Sequence, residues 1–368
     1  MDKGDDFSHT SAFILAFLKG KAMNRKFYFS FLSFALALAA TVAFVIGSSA
    51  GRAAAPNSAL SALPASDFII SIDVQRALSE ALPSLLSSNP ALLSKLNINL
   101  EEFQQKTGIN PHVFESVAIG SSLHPSVPLS RRDPSSVIVA RGSFKADDLL
   151  NSAFTAAQKE CQFEKEEQQY EGKTIFLISN VRSLKKEATS EKSYGNQDKF
   201  AVAAVDANTI AVGSPESVRA TIDASMGRNR VDDALVSLAS KSPDAIVGFS
   251  GRIPPSAADK QTTDNPFARY FASIREFYGS FNAAGSEGQS SFTLRTETAE
   301  QASDISQAIN SMKSLAAVGF ATSRDTNSAE AKIIADLINS LSVTTQGNEV
   351  QINAKFQLPS ISPTAQHF

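Results

Sequence analysis

Tryptophan is absent from the 368-residue chain, cysteine occurs once (Cys161) and histidine four times. A single thiol cannot close an internal disulfide, so in an oxidising compartment the core alone must hold the fold. Cys161 sits in a charged stretch with no histidine nearby in sequence, which fits an inert thiol better than a nucleophile. Only His112 and His124 fall within the part that reads as folded, and neither has HExxH or other metal-ligand spacing. With Asp73 or Asp133 they could form a site only through the fold; exposed loop histidines are the simpler reading. No metal and no cofactor are expected. Without Trp, and with five Tyr, the chain lacks the usual carbohydrate-stacking platforms, and its 25 Phe read as core filling.

Excess positive charge is also missing. Lys and Arg number 34 against 37 Asp and Glu; without the first 55 residues the totals become 28 and 34, a net charge of about −6. The basic residues are dispersed, so nucleic-acid binding is not expected.

Catalytic motifs are scarce. Around Ser250, Gly248-Phe249-Ser250-Gly251 lacks the GxSxG spacing of a nucleophile elbow. Ser183-Leu184-Lys185-Lys186 contains an SxxK, and Lys106-Thr107-Gly108 spells KTG, but in the reverse of the penicillin-recognising order; Thr107-Gly108 reads as a helix stop. The pairs Asp147-Asp148, Glu166-Glu167 and Asp232-Asp233 are adjacent residues, which do not share a helix face, so they are not acid/base partners. Gly213-Ser214-Pro215-Glu216 opens a helix with one glycine and an acid, unsuited to cradling phosphate. No catalytic, cofactor-binding or metal residue is assigned.

One long apolar run does exist. Phe27 to Ile46 carries no charge over about twenty residues, follows Arg25-Lys26 and precedes small residues. It reads as a signal peptide or a single transmembrane anchor. Ser48-Ser49-Ala50 offers a cleavage pattern, whereas the length suits an uncleaved span. No cysteine follows it closely, so a lipoprotein-type anchor is excluded. The first 22 residues, acidic at their start, are unlike an export signal, but Met23-Asn24-Arg25-Lys26 is a normal start for one. Both readings place the remainder outside the cytoplasm, periplasmic or in the cell envelope, touching a membrane through residues 27–46 if uncleaved.

The expected organisation is a cytoplasmic region over 1–26, the export segment over 27–50, a linker over 51–63, α+β subdomains over 64–228 and 229–358, and a disordered tail over 359–368. The expected fold class is α+β, with mixed, mostly antiparallel sheets covered by amphipathic helices. Strands are expected at Asp67–Asp73, Val113–Gly120, Ser135–Phe144 and Thr174–Ser179, then a hairpin about Asp206-Ala207-Asn208. Later strands are Ala245–Ser250, Ser290–Glu297 and a hairpin about Gln346-Gly347-Asn348. Helices are expected over Val74–Leu86, from an Asn99–Glu102 capping box to Gly108, and over Lys145–Gln158. Ser214 should cap another that ends before Gly227, followed by Asp232–Lys241, Pro266–Tyr278, Ala299–Ala317 and Ser328–Leu341. The Pro266–Tyr278 helix would carry Phe267, Tyr270, Phe271, Ile274 and Phe277 on one face, covering a sheet or forming a groove for a lipid or partner helix. Residues 181–199 read as a surface loop, and 159–173 as a charged stretch without an assigned element. Val137–Leu150 and Phe292–Ile305 echo each other, each a strand leading into an acidic helix, as a duplicated α+β unit would.

Three pieces carry a resemblance: LPASDFIISID from Leu63, KTGINPHVFESVAIG from Lys106 and FAVAAVDANTIAVGSPESVRATID from Phe200. Their order resembles that of exported bacterial proteins of unknown function. The resemblance implies an extracytoplasmic α+β fold and no activity. The expected role is therefore a non-catalytic envelope module that binds a partner protein or an apolar, lipid-like ligand. The alternative is an envelope hydrolase whose site is dispersed over Ser250, His112, His124 and Asp73.

Overall fold

In the computed structural model, which describes residues 59–122, 136–160, 163–180, 199–253, 272–321 and 329–357, a large antiparallel sheet forms the frame. Its strands are β1 (Phe68–Asp73), β2 (Phe114–Ser121), β3 (Val137–Gly142), β4 (Phe163–Tyr170), β5 (Lys173–Asn180) and β6 (Lys199–Asp206). They continue with β7 (Thr209–Gly213), β8 (Val247–Arg252), β9 (Ile274–Ala284), β10 (Glu287–Thr296), β11 (Ser342–Gln346) and β12 (Glu349–Gln357). The twelve lie in the order β11-β12-β10-β9-β8-β1-β2-β3-β7-β6-β5-β4. All described pairings are antiparallel.

The connectivity repeats. Strands β1-β2-β3 form a meander, helix α3 (Ala146–Glu160) follows, and β7 returns beside β3. Strands β8-β9-β10 form a second meander, helices α6 (Ala299–Ala321) and α7 (Ala329–Ser340) follow, and β12 returns beside β10. The two runs meet at their first strands, where Ile70 of β1 opposes Phe249 of β8. The echoing segments of sequence, Val137–Leu150 and Phe292–Ile305, fall at corresponding places, β3 into α3 and β10 into α6.

Alternation along each strand gives the sheet two different faces. On one face, Ile72, Val117, Ile138, Ala140, Val202, Ile210 and Val212 are buried with Leu149 and Leu150 of α3. Helix α1 covers the same cluster with Val74, Leu78 and Leu82. It runs from Val74–Arg76 through a π-helical turn over Ala77–Ala81 to Leu82–Leu85. The wide turn lets Leu82 N–H bond Ala77 O just before Pro83, which has no N–H to offer and would crowd a regular α turn. Farther along this face, Leu294 and Val350 pack under Ala302 and Ile305 of α6.

The opposite face is apolar only over the first half of the sheet. There Ile69, Ala118, Val139, Ala201, Ala203 and Ala211 meet helices α4 (Pro215–Ser225) and α5 (Asp233–Ala239) through Val218, Ile222 and Leu235. Small side chains on the strands let these helices approach; at Gly248 an added Cβ would stand 1.9 Å from the Ala239 carbonyl oxygen of α5.

Several local expectations hold. Ser214 Oγ accepts from Ser217 N–H at 3.1 Å with Pro215 at the first helical position. Helix α2 (Pro90–Thr107) stops at Gly108, whose φ of 71° is left-handed. Three readings need correction. Asn99 is mid-helix; the cap of α2 is Asn89, accepting from Leu92 N–H at 3.3 Å, with Pro90 at the first position. The charged stretch over 159–173 contains β4, an edge strand whose exposed Glu and Lys side chains blunt the sheet end. The expected Pro266–Tyr278 helix does not form over Ile274–Tyr278, which begins β9 instead. From Phe277 the residues alternate Phe, Tyr, Gly, Ser, Phe, Asn, and the two-residue period wins. Residues 1–58, including the export segment, lie outside the described residues, as do residues 254–271 with Phe267, Tyr270 and Phe271, the 181–198 part of the expected surface loop and the tail from 358.

Candidate functional site

Each described residue singled out for chemistry is placed in a structural role or on the surface. Ser250 is fully buried, and its hydroxyl donates to the Leu235 carbonyl at 2.7 Å, tying β8 to α5. Asp73 caps α1, its Oδ1 accepting from Arg76 N–H at 2.9 Å. Burial holds the Asp73 carboxyl above its usual range, opposed by the backbone hydrogen bond and by the charge of Arg76. His112 lies exposed in the short 3₁₀ turn Pro111–Val113. Lys106 pairs with Glu102 at 3.0 Å, and Thr107 Oγ1 donates to Phe103 O and accepts from Ile109 N–H, so KTG here is a helix end. His124, Asp133, Cys161, Ser183 and Lys186 lie outside the described residues. Among the described residues no group of His, Cys, Asp and Glu is arranged to hold a metal.

What the fold does assemble is a floor of phenylalanines on the face that carries α1, α2, α3, α6 and α7. Phe68 of β1, Phe249 of β8, Phe277 of β9 and Phe292 of β10 are each half-buried. Their rings form a continuous chain: Phe68 to Phe277 at 5.7 Å between centroids, Phe277 to Phe292 at 6.1 Å, and Phe292 to Phe249 at 5.6 Å. Cross-strand glycines set their posture. Gly279 opposes Phe249, and Gly251 opposes Phe277. A Cβ at either glycine would lie 2.4 Å from the ring of its partner. The rings therefore lie down over bare backbone and make a low apolar surface. Phe277 and Phe292 abut the α6 cluster, so the floor runs from beneath α6 toward the centre of the sheet.

The reverse side of these strands is a ladder of opposite charges. Asp232, ahead of α5, pairs with Arg252 of β8, and Arg252 Nε donates to Glu276 of β9 at 3.2 Å. Glu276 also accepts from Arg295 of β10 at 2.5 Å, and Arg295 reaches Glu349 of β12 at 2.8 Å. Buried Tyr278 accepts from Lys241 Nζ at 2.6 Å and donates to Glu349 at 3.3 Å. The Arg252 hydrogen bond holds Asp232 below the usual carboxylate range. Where β8, β9 and β10 end, an open cleft of about 590 Å³ is lined by Asp67, Arg252, Arg275, Glu276, Arg295 and Glu297, among others. Arg275 donates to Glu297 at 2.7 Å. Each arginine of the cleft already faces a carboxylate, so the cleft is balanced rather than a cationic anion site.

Composition alone assigns the phenylalanines to the core in general and reveals neither the floor nor the ladder. The available signal is Phe-x-Gly in β9 and Gly-Phe-x-Gly in β8, whose meaning depends on which strands become neighbours.

The chain matches no protein-family model and no curated protein sequence. Among solved structures it is similar to crystal form III of TP0453, at 9% identity and a TM-score of 0.41, over 81% of this chain and 94% of that one. Crystal form I of TP0453 is matched at 9% identity and 0.40, over 83% and 94%. At this distance the likeness carries no functional weight. None of the described helices is long and apolar enough to cross a membrane.

Proposed function

We propose that this chain is a non-catalytic module of the bacterial cell envelope whose phenylalanine floor receives an apolar ligand or the apolar face of a partner protein. The supporting observation is the floor itself: four half-buried rings in unbroken contact, two of which, Phe249 and Phe277, lie over facing glycines. Contiguous, partly exposed aromatic surface is a candidate binding site for apolar ligands. The bound state covers the rings and releases their water, with selectivity set by shape more than by hydrogen bonds.

In this reading residues 27–46 carry the protein out of the cytoplasm and, where uncleaved, hold it at the membrane. The repeated strand connectivity is read as a duplicated α+β unit, divided near Gly227–Arg230 into the parts 64–228 and 229–358. Native mass spectrometry of protein isolated from its own membrane and periplasmic fractions tests the proposal. A chain carrying the mass of a small apolar molecule, or a second polypeptide on the floor, is the expected result. A bare chain from every gentle preparation would count against it.

A further inference from the structure

An open sheet has two end strands, and unprotected ends recruit other strands. Here the ends are treated differently. Outer strand β4 carries Glu164, Lys165, Glu166 and Glu167, four charges in eight residues, which discourage pairing. At the other end, β12 extends past β11, and Ser340 covers the overhang: its Oγ accepts from Lys355 N–H at 2.8 Å and donates to Lys355 O at 2.5 Å. Strand β11 itself, Ser342-Val343-Thr344-Thr345-Gln346, has no charge, no proline and an unbroken register with β12. Ser342, Thr344, Thr345 and Gln346 are exposed. Apart from β12, no described residue hydrogen-bonds to the backbone of these five.

We propose that β11 pairs antiparallel with β11 of a second copy of this chain, across a twofold axis at Thr344. The strand is self-complementary in that register. Thr344 meets Thr344, Val343 meets Thr345, and Ser342 meets Gln346, so no charge opposes a like charge. Odd positions, on the side where Val343 packs with the α6 cluster, meet odd positions, and even meet even. The apolar and polar faces of the two sheets thus continue into each other. An axis normal to the sheet also sets both α6 helices on one face. A five-residue strand pair is small, so association in the micromolar range is expected. This inference is independent of the ligand reading above.

Sedimentation velocity of the full chain over a concentration series tests it, with Thr344→Lys, Thr344→Glu and their equimolar mixture alongside. Thr344 is exposed, so both variants should fold, with circular dichroism as the check. A wild-type dimer is expected, with dissociation constants up to about fivefold weaker for each variant alone, because like charges meet on the axis. The mixture should regain dimer as Lys faces Glu. A wild type that stays monomeric throughout, or variants that dimerise as well as wild type, overturns the proposal. So does failure of the mixture to exceed either variant alone.

Discussion

Phe249 lies across Gly279: a Cβ added to that glycine would stand 2.4 Å from the ring's Cζ and 2.3 Å from the Ser291 carbonyl oxygen. Gly279→Ala therefore has to move both a ring and the backbone of β10. It should cost about 1–3 kcal/mol in urea unfolding. The nearest atoms to a Gly251→Ala methyl all belong to the Phe277 ring, which can turn, so this change should cost less. Equal costs would mean that the Phe277 ring cannot turn away and is as fixed as the backbone of β10.

Glu276 joins Arg252 and Arg295 and is the midpoint of the charge ladder. Glu276→Gln leaves two partly buried guanidiniums competing for fewer acceptors, with an expected loss of about 1–3 kcal/mol. Lys106→Ala, which breaks an exposed one-turn pair with Glu102, should cost no more than about 0.5 kcal/mol from that pair. Urea midpoints for the two variants measure the contrast.

Asp73 has its folded-state pKa raised by burial, so the folded chain holds that proton more tightly than the unfolded one. Its contribution favours folding at low pH and declines as pH rises through the raised value. Asp73→Asn keeps a capping oxygen without the partly buried charge. At pH 7 that variant should be at least as stable as the native chain, with the difference shrinking below about pH 4. A variant that is less stable at pH 7 would show that the Arg76 pairing outweighs burial.

Asp232 is opposite in sign. Its pKa is depressed by Arg252, so its stabilisation is present above the unfolded carboxylate value and lost as pH falls through the folded one. Asp232→Asn should lower the unfolding midpoint at neutral pH and converge with wild type in acid. Parallel pH curves for the two proteins would contradict the assignment.

Much of the frame is legible in the sequence because local rules and the fold agree. Ser214-Pro215 and Gly227 bracket α4, and Asp206-Ala207-Asn208 turns β6 into β7. Local pattern and structure part where neighbours decide. The acidic strand β4 is stable because it is an edge with β5 behind it, and nothing within its own eight residues says so. The helical spacing running from Phe267 to Phe277 obscures the alternation that begins in β9. The floor is least legible of all, since Phe68, Phe249, Phe277 and Phe292 become neighbours only after β8 pairs with both β1 and β9, and β9 with β10.

The absence of tryptophan provides the most direct test of that floor. Phe292→Trp introduces a single indole among the half-exposed rings, on a chain with no background Trp emission. Titration with a brominated fatty acid, whose heavy atoms quench indole on contact, reads whether the floor takes an apolar chain. Saturable quenching, weakened when Phe249→Ser is added, is the predicted result. Unchanged emission from the folded variant, or quenching indifferent to Phe249→Ser, would contradict ligand binding at this site.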